Sequence, residues 1–310
     1  MKKDDELMDG YENVHDGQAT ETPIIIIERD DDSVQQDTPV APKRRFPKWM
    51  KIALTIIGLL IAIIMVLAAY KAWSYYYKLG ISISISPKEN IEKLQRKASS
   101  EASEVIMESD SILGVGLNIY AIHGLQGTIE FQEPDTADAS VYLYCRSVDF
   151  TADGRYLSSL VAEGKEHQAN NYRLGYMAMA NGNNVIGISR FEDVKDYAIE
   201  QGGSYFRQFV LVSNSELPPR FYLHGKVERC AIGRIGDRLY YITTRHKETL
   251  WSFADALREY GFIDAIYITG GTDYSYYRDR NGKRHDIHDI ADYPHKKWQG
   301  ITPWLVFRKR

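Results

Sequence analysis

One long apolar run constrains this chain more than any other feature of its sequence. Residues 52–70 read IALTIIGLLIAIIMVLAAY, nineteen positions without a charged side chain. At a rise of about 1.5 Å per residue, a helix of this length spans a bilayer's hydrocarbon core. A cleaved signal peptide is the alternative, but its apolar region is about 7–15 residues long and lies near the N-terminus. About fifty residues precede this run, so we predict one uncleaved transmembrane helix, within residues 48–72.

Basic side chains beside the run predict its orientation. Five lie just before it and two lie soon after it: Lys43, Arg44, Arg45, Lys48 and Lys51, then Lys71 and Lys78. Because Lys and Arg are retained on the cytosolic side, we expect the N-terminus in the cytosol and the C-terminal segment to be exported. Aromatic residues at both ends, Trp49 and 73–77, fit the two membrane interfaces. In a Gram-negative bacterium the exported part would face the periplasm from the inner membrane.

The segment before the run is polar and acidic. Residues 1–47 carry a single short apolar patch, 24–27, which is too small to found a core, so we predict a disordered cytosolic tail. The patch is either incidental or a docking motif for a cytosolic partner. The formal net charge of −4 is the sum over segments of very different charge, so it says little about binding partners. No basic surface interleaved with aromatic residues stands outside the membrane flank, which argues against a nucleic-acid partner.

After the run, local signals predict a helical stalk and then a strand-rich domain. Ser86, Pro87 and Glu89 offer an N-cap, a first helical position and a capping carboxylate, and an apolar stripe from Ile91 to Val105 continues to about Glu108. We therefore assign residues 73–110 to a helix and linker, the helix being either a stalk or a helix that lies on the domain. From residue 111 onward, short apolar runs alternate with Gly, Asn, Asp and Pro turns. This alternation of short apolar runs and turn residues predicts a mixed, strand-rich α+β domain over 111–310.

The clearest local pattern in that domain is a hairpin, a helix and a strand. Gly236-Asp237 predicts a turn within CAIGRIGDRLYYITT, and Thr249 caps an amphipathic helix that Gly261 ends. An apolar strand at 265–269 follows. Further strands are predicted around the Asn281-Gly282 turn and at 304–308.

Two cysteines, Cys145 and Cys230, both lie in apolar strand-like runs. An exported domain meets oxidising conditions, so a disulfide that closes about 85 residues is one interpretation. Two buried free thiols are the other, because free Cys is commonly buried.

Several short motifs follow one another in a fixed order through residues 170–280. They are Asn181-Gly182 with Gly187, Arg229 before Ala231-Ile232-Gly233, Thr249-Leu250, Phe253-Ala254, Tyr260-Gly261, Ala265-Ile266 and Gly270-Gly271. This order resembles the phosphodiester glycosidase domain family, which includes the enzyme that uncovers mannose 6-phosphate by removing N-acetylglucosamine and many bacterial exported proteins. The resemblance implies a phosphodiester glycosidase-like fold.

The resemblance also implies roles for particular residues. Arg229 would hold the phosphate, backbone N–H groups at Gly270 and Gly271 would stabilise developing charge, and Asp273 would serve in acid–base chemistry. Two positions depart from the family's pattern. Its Asp before the Gly pair is Thr269 here, and its acidic residue on the helix is Ser252. A hydroxyl does not replace a carboxylate as general acid, base or nucleophile, so hydrolysis is left open, with Asp273 and Asp255 as substitute carboxylates.

The residues themselves support a ligand site near these motifs. Gly270-Gly271 after an apolar strand lets a ligand approach backbone N–H groups, and arginine at position 229 is the residue type that binds phosphate through two parallel hydrogen bonds. The alternative is a tight turn and an arginine paired with a structural acid. Thr244 ends a strand beside the helix start, and Tyr274 offers a ring to a sugar, although a half-buried strand explains Tyr274 equally well.

A metal site is not expected. The run His285 to Asp289 has two imidazoles and two carboxylates, but no second cluster completes a ligand set, so we interpret it as a solvated loop. No cofactor is predicted.

The sequence thus leads to three hypotheses. The first is a membrane-anchored envelope protein that hydrolyses or binds a glycan or sugar phosphodiester, with catalytic residues Asp273, Arg229 and Thr269. Its substrate-binding residues would be Asn181, Gly182, Thr244, Gly270, Gly271 and Tyr274. The second is a catalytically inactive glycan-binding or scaffold protein of the same fold. The third is an envelope assembly factor whose acidic tail recruits a cytosolic partner.

Overall fold

A computed structural model describes residues 47–73, 87–170, 172–219, 221, 224–269, 274–287 and 300–310 of the chain. The predicted cytosolic tail, apart from its last residue, lies outside these ranges. So do the aromatic residues 75–77, which were predicted to mark a membrane interface. Within the described ranges the chain forms four α-helices and three antiparallel β-sheets.

The first helix, α1, runs from Lys48 to Trp73 and contains the whole predicted apolar run. Its segment Lys48–Ala72 is long and apolar enough to cross a membrane. Large apolar side chains along it, including Leu59 and Ile64, are exposed. Apolar side chains are excluded from water, so exposure around a whole helix is typical of a lipid-facing segment.

Three more helices and sixteen strands make up the rest of the described chain. The helices are α2 (Pro87–Gln95), α3 (Asp193–Glu200) and α4 (Leu250–Tyr260). The first eight strands are β1 (Glu104–Ile112), β2 (Val115–His123), β3 (Leu125–Glu130), β4 (Val141–Arg146), β5 (Leu160–Ala162), β6 (Lys165–Gln168), β7 (Gly175–Ala180) and β8 (Asn183–Ile188). The others are β9 (Ser204–Gln208), β10 (Val210–Val212), β11 (Cys230–Ile235), β12 (Arg238–Thr244), β13 (Asp264–Ile268), β14 (Tyr276–Arg278), β15 (Arg284–Asp286) and β16 (Trp304–Lys309).

The strands form three sheets around one central core. Sheet A has the order β1-β2-β12-β11-β13-β10, sheet B the order β15-β14-β4-β16-β3, and sheet C the order β6-β5-β9-β7-β8. Their inner faces share one apolar cluster, which includes Tyr120, Leu143, Phe206 and Ile232. On the outer face of sheet A, α4 buries Phe253 and Leu257. The outer face of sheet C carries the cluster that contains Leu94 of α2 and Val194 of α3.

Local chemistry explains the hairpin and helix that the sequence predicted. Gly236 has φ +59°, as the turn between β11 and β12 requires. The Thr249 side chain accepts a hydrogen bond from the Ser252 N–H over 3.0 Å and so caps α4, and Gly261 ends the helix at φ +109°. The predicted mixed, strand-rich α+β architecture and these elements are confirmed.

The predicted stalk helix through Glu108 is wrong. Helix α2 ends at Gln95, and residues 104–112 form β1, which pairs with β2 along its whole length. Leu94 is fully buried in the cluster beneath sheet C, so α2 packs on the folded domain. Pairing with β2 satisfies the backbone and overrides the helical spacing of Ala98, Ala102 and Val105.

Both cysteines are free thiols in the central core. Burial raises the pKa of the Cys145 thiol well above its usual range, with a further contribution from neighbouring Cys230. A thiol is unreactive until it forms the thiolate. The structure thus matches the free-thiol interpretation rather than the disulfide.

We therefore expect neither thiol to react with a chromogenic thiol reagent at pH 8 while the protein is native. In denaturant, two thiols per chain should react. Absence of reactive thiols in denaturant without reductant would instead show that a disulfide forms.

Candidate functional site

Three of the predicted site residues meet where the central strands of sheet A end. Cys230 is opposite Thr243 of β12 on one side and Ile268 of β13 on the other, so Arg229, Thr244 and Thr269 stand next in register. The Arg229 N–H donates to Thr244 Oγ1 over 2.9 Å, and the Thr244 N–H donates to the Arg229 carbonyl over 2.9 Å. Residues that face each other across a ladder share one face of a sheet. We call Arg229, Thr244 and Thr269 the strand-end row.

The row lies on the face of sheet A that α4 covers. Cys230 and Ile268 point into the central core, whereas Ala231 and Tyr267 belong to the cluster beneath α4. Side chains alternate along a strand, so those of Arg229 and Thr269 point to the α4 side. All three members of the row are at least 95% buried.

The Arg229 guanidinium is held by backbone carbonyls. Its Nε donates to the Glu248 carbonyl over 2.9 Å, and its Nη2 donates to the Gly225 carbonyl. The residue is 3% exposed, and among the described residues no carboxylate lies within ion-pair distance of it. Buried charges in proteins are normally paired, because removing an ion from water is costly. The strand-end row therefore carries a buried positive charge with no anionic partner in the described part of the chain.

The Thr269 hydroxyl also has no partner among the described residues. Its Oγ1 is buried and makes no hydrogen bond within the described ranges. Most buried side-chain hydroxyls are bonded, since an unbonded one forfeits its hydration. A donor with spare capacity thus lies in the same row as the guanidinium.

The start of α4 adds a carboxylate that the sequence analysis did not single out. Ser252 Oγ donates to Glu248 Oε2 over 3.0 Å, and Thr249 Oγ1 lies 2.9 Å from Ser252 Oγ. The Glu248 backbone carbonyl is the one that holds Arg229. Four backbone N–H groups at a helix start also carry partial positive charge, which favours an anion. A Glu immediately before the N-cap Thr249 was the sequence signal for this group.

An aromatic pair with one exposed member stands beside the same helix start. The ring of Trp251, which is 51% exposed, lies 6.0 Å from the partly buried ring of Phe221 in an edge-to-face arrangement. Neither residue carries a sequence signal, because single aromatics in a helix and a loop are ordinary. Aromatic faces next to polar groups are well suited to stack on a sugar ring.

The substitute carboxylates predicted from the family pattern are not brought to the row by the described residues. The Asp255 carboxylate pairs with Arg258 one turn along α4, with Oδ1 2.7 Å from Nη2. Asp273, with Gly270 and Gly271, lies outside the described residues. Their predicted roles stay predictions.

Asn181 and Gly182 lie on a different sheet from the row. They form the turn between β7 and β8 of sheet C, with φ +53° and +77°. The Asn181 amide donates to Tyr197 Oη over 2.9 Å, and a Cβ at Gly182 would lie 3.1 Å from that of Ala98. In the structure these residues close a tight hairpin against α3 and the segment after α2.

Tyr274 lies in an aromatic cluster on the outer face of sheet B. The ring is 3% exposed and packs edge-on against Tyr144 at 5.6 Å, and its hydroxyl donates to Asp286 Oδ1 over 2.8 Å. Burial raises the pKa of Tyr274. The ring therefore packs against protein side chains instead of presenting a face for stacking.

The described residues contain no group of three or more His, Cys, Asp or Glu side chains placed to hold a metal. Of the predicted loop 285–289, His285 pairs with Asp279 over 2.9 Å, and residues 288 and 289 lie outside the described ranges. The strand-end row offers a guanidinium, which has donors and no acceptor and so suits an anion, and hydroxyls that can donate to the same anion.

No protein-family model and no curated protein matches this sequence. Among solved structures, the chain is similar to the zebrafish N-acetylglucosamine-1-phosphodiester alpha-N-acetylglucosaminidase catalytic domain, in a form auto-inhibited by its pro-peptide. That match has a TM-score of 0.49 and 13% identity over 70% of this chain and 86% of the other. A hypothetical protein from Synechocystis has a TM-score of 0.46 and 8% identity over 69% of this chain and 64% of the other. These similarities are too low to carry a functional argument.

Proposed function

We propose that the strand-end row binds the phosphate of a sugar phosphodiester and that the protein presents this site from a membrane anchor at the cell envelope. The observation that carries the proposal is the buried Arg229 guanidinium, which has no carboxylate partner among the described residues. The guanidinium has N–H groups beyond the two that the Glu248 and Gly225 carbonyls use. A phosphodiester would accept from these groups through two parallel bonds.

The neighbouring groups fit the rest of such a ligand. The Thr269 hydroxyl, which makes no hydrogen bond among the described residues, could donate to a second phosphate oxygen. The exposed ring of Trp251, packed edge-on against Phe221, offers apolar surface to the sugar. Phosphate and sugar recognition would thus come from adjacent segments, the strand ends and the first turn of α4.

Hydrolysis would need one carboxylate in the site besides the groups that bind the phosphate and the sugar. In that reaction the carboxylic acid gives its proton to the leaving phosphate oxygen as the sugar carbon–oxygen bond breaks, water adds its hydroxyl to that carbon, and the proton that water loses returns to the carboxylate. Glu248 and Asp273 are the candidates for the acid. Because Thr269 replaces the family's Asp, and because Ser252 already donates to Glu248, binding without turnover is the second candidate function.

The anchor follows from α1, and the outward orientation follows from the basic residues on its N-terminal side. An outward site would meet envelope glycans and not cytosolic nucleotides. A cytosolic partner for the tail remains part of the proposal.

Replacing Thr269 by valine tests the site without removing its charge. We expect the variant to bind a sugar-1-phosphate methyl diester about tenfold more weakly, because a hydrogen bond to a charged group is lost. Stability should be unchanged or rise by up to about 1 kcal/mol, since the hydroxyl has no partner in the described structure. Calorimetric titration of the full-length protein in non-ionic detergent measures the first quantity, and thermal unfolding measures the second.

The matched control is Thr243→Val on strand β12, which makes the same hydroxyl-to-methyl change next to Thr244 but on the core face of sheet A. It should leave binding unchanged. Equal affinity for the uncharged methyl glycoside, or equal effects of the two valine variants, would contradict the proposed phosphate site. Chromatography of the same mixtures detects released sugar and separates hydrolysis from binding alone.

A further inference from the structure

A second cleft lies at the other end of sheet A. It has a volume of about 680 Å³, within the usual range for small-molecule sites. Its walls are the residues around the end of α2, the first part of β8, the β11–β12 turn and Arg310. Strands β11 and β12 connect it to the strand-end row, and six residues of β11 at about 3.3 Å each separate the two by roughly 20 Å.

The lining of the cleft is strongly basic. Six basic and two acidic side chains face it: Lys93, Arg96, Lys97, Arg234, Arg238 and Arg310, then Glu101 and Asp237. Two of the basic groups are neutralised within the protein. Lys93 Nζ lies 2.5 Å from Asp237 Oδ1, and Arg234 Nη2 lies 2.6 Å from Asp264 Oδ2.

Of the charged side chains that line the cleft, four basic ones and one carboxylate remain after these two ion pairs. Arg96, Lys97, Arg238 and Arg310 make no ion pair within the described ranges, and Glu101 bonds to His123 over 2.8 Å. Arg310 is fixed in place because its Nη1 donates to the Ser99 carbonyl over 2.5 Å. Like charges gathered in a concave site raise the local concentration of anions.

The floor of the cleft adds groups that suit a sugar. Ile122, Leu125 and Leu239 are buried apolar residues that line it. Asn90, which is 1% exposed, also lines it. Its amide nitrogen donates to Tyr176 Oη over 2.6 Å, while its Oδ1 has no partner among the described residues. This oxygen can accept a hydrogen bond from a sugar hydroxyl. Inorganic phosphate has no sugar hydroxyl to donate to it.

Close packing holds Asn90 in this position. A Cβ at Gly187 would lie 2.5 Å from Tyr176 Oη and 2.6 Å from Asn90 Nδ2, so only glycine fits beside the pair.

We propose that this cleft is a second ligand site, which binds a sugar carrying two or more phosphate groups. Arg96, directly after α2, and Arg238, the first residue of β12, would each hold a phosphate through a guanidinium. The apolar floor would contact the sugar ring, and Asn90 Oδ1 would accept from a ring hydroxyl. The site is separate from the strand-end row and does not require the row to bind anything.

The test uses full-length protein in non-ionic detergent with glucose 1,6-bisphosphate as the probe. We expect saturable binding that weakens with added salt, because exposed charges are screened. The double variant Arg96→Gln with Arg238→Gln should bind the probe at least about thirtyfold more weakly, since each change removes a charge-assisted hydrogen bond. Both residues are exposed, so the variant should unfold at the wild-type temperature.

A matched double variant, Arg155→Gln with Arg280→Gln, removes the same charge from exposed turns elsewhere. It should bind the probe within about twofold of the wild type. Equal weakening in the two double variants would overturn the site, because the effect would then come from net charge.

Two further probes identify the source of the phosphate. Inorganic pyrophosphate has no sugar, and dihexanoyl phosphatidylglycerol carries a lipid headgroup; both should bind at least about tenfold more weakly than the bisphosphate. Equal binding of either one would overturn the assignment to a phosphorylated sugar.

Variants at the two sites keep the two proposals apart. Thr269→Val should leave bisphosphate binding at the cleft unchanged, and the Arg96 and Arg238 double variant should leave diester binding at the row unchanged. Loss of bisphosphate binding in Thr269→Val would show that the probe occupies the strand-end row. This result would overturn the proposal that the cleft is a second ligand site.

Discussion

Replacing Arg207 by methionine is expected to lower the free energy of unfolding by about 3–5 kcal/mol. The side chain is fully buried on β9. Its Nη1 donates to the carbonyls of Arg173 over 3.0 Å and Ser189 over 2.5 Å, and its Nη2 donates to the Phe191 carbonyl over 2.9 Å and to Glu192 Oε1 over 3.0 Å. Methionine keeps much of the apolar volume but leaves three carbonyls and a carboxylate without this donor. Chemical denaturation followed by far-UV circular dichroism measures the loss.

Lys195→Met is the matched control, because the Lys195 Nζ pairs with the other oxygen of the same Glu192 over 3.1 Å and with Glu166 Oε1 over 2.8 Å. Both pairs lie nearer solvent, so their removal should cost less than about 2 kcal/mol in total. Similar losses in the two variants would show that Arg207 contributes only a surface ion pair.

The second large effect is expected at Arg229. Arg229→Met should weaken binding of the sugar-1-phosphate diester by at least about a hundredfold, since a buried charged hydrogen-bond partner contributes about 2–5 kcal/mol. Stability should fall by about 1–3 kcal/mol, because the Gly225 and Glu248 carbonyls lose the guanidinium donor, although the Glu248 carbonyl still accepts from the Val227 N–H over 3.2 Å. Arg229→Lys should bind at an intermediate affinity, because it keeps the charge but not the planar fork.

Arg245→Met controls for charge at the same strand end. Arg245 is exposed, follows Thr244 directly and donates from Nη2 to the Asp110 carbonyl over 3.1 Å. Its removal should change diester affinity by no more than about threefold. A similar loss of diester affinity in the Arg229 and Arg245 variants would mean that the ligand responds to the overall electrostatic potential. It would not then bind the buried guanidinium specifically.

The parts of the fold that were predicted correctly depend on short-range chemistry. The β11–β12 turn at Gly236, the Thr249 cap and the Gly261 helix end each follow from conformational preferences within a few residues. Helix α1 was predictable for a similar reason, because its length and lack of charge decide its environment. Sequence alone therefore located the elements on which the strand-end row is built.

The errors and omissions arise from contacts between distant segments. Residues 104–112 form β1 because β2 supplies a partner for the whole strand, which no local propensity shows. The basic cleft was not foreseen because α2 and the β11–β12 turn are far apart in sequence, as the bond from Lys93 to Asp237 across 144 positions illustrates. The lack of a carboxylate partner for Arg229 in the described part of the chain likewise depends on which side chains surround it in three dimensions.

The free thiols in the core have a consequence for how this protein matures. Cys145 and Cys230 belong to sheets B and A and are buried as thiols in the shared core, where the Tyr241 hydroxyl donates to Cys230 Sγ over 3.5 Å. The fold is therefore complete without a covalent cross-link, and no disulfide-forming enzyme needs to act on it. Whatever the redox potential of its compartment, the domain should reach the same structure in a reducing cytosol as in an oxidising medium.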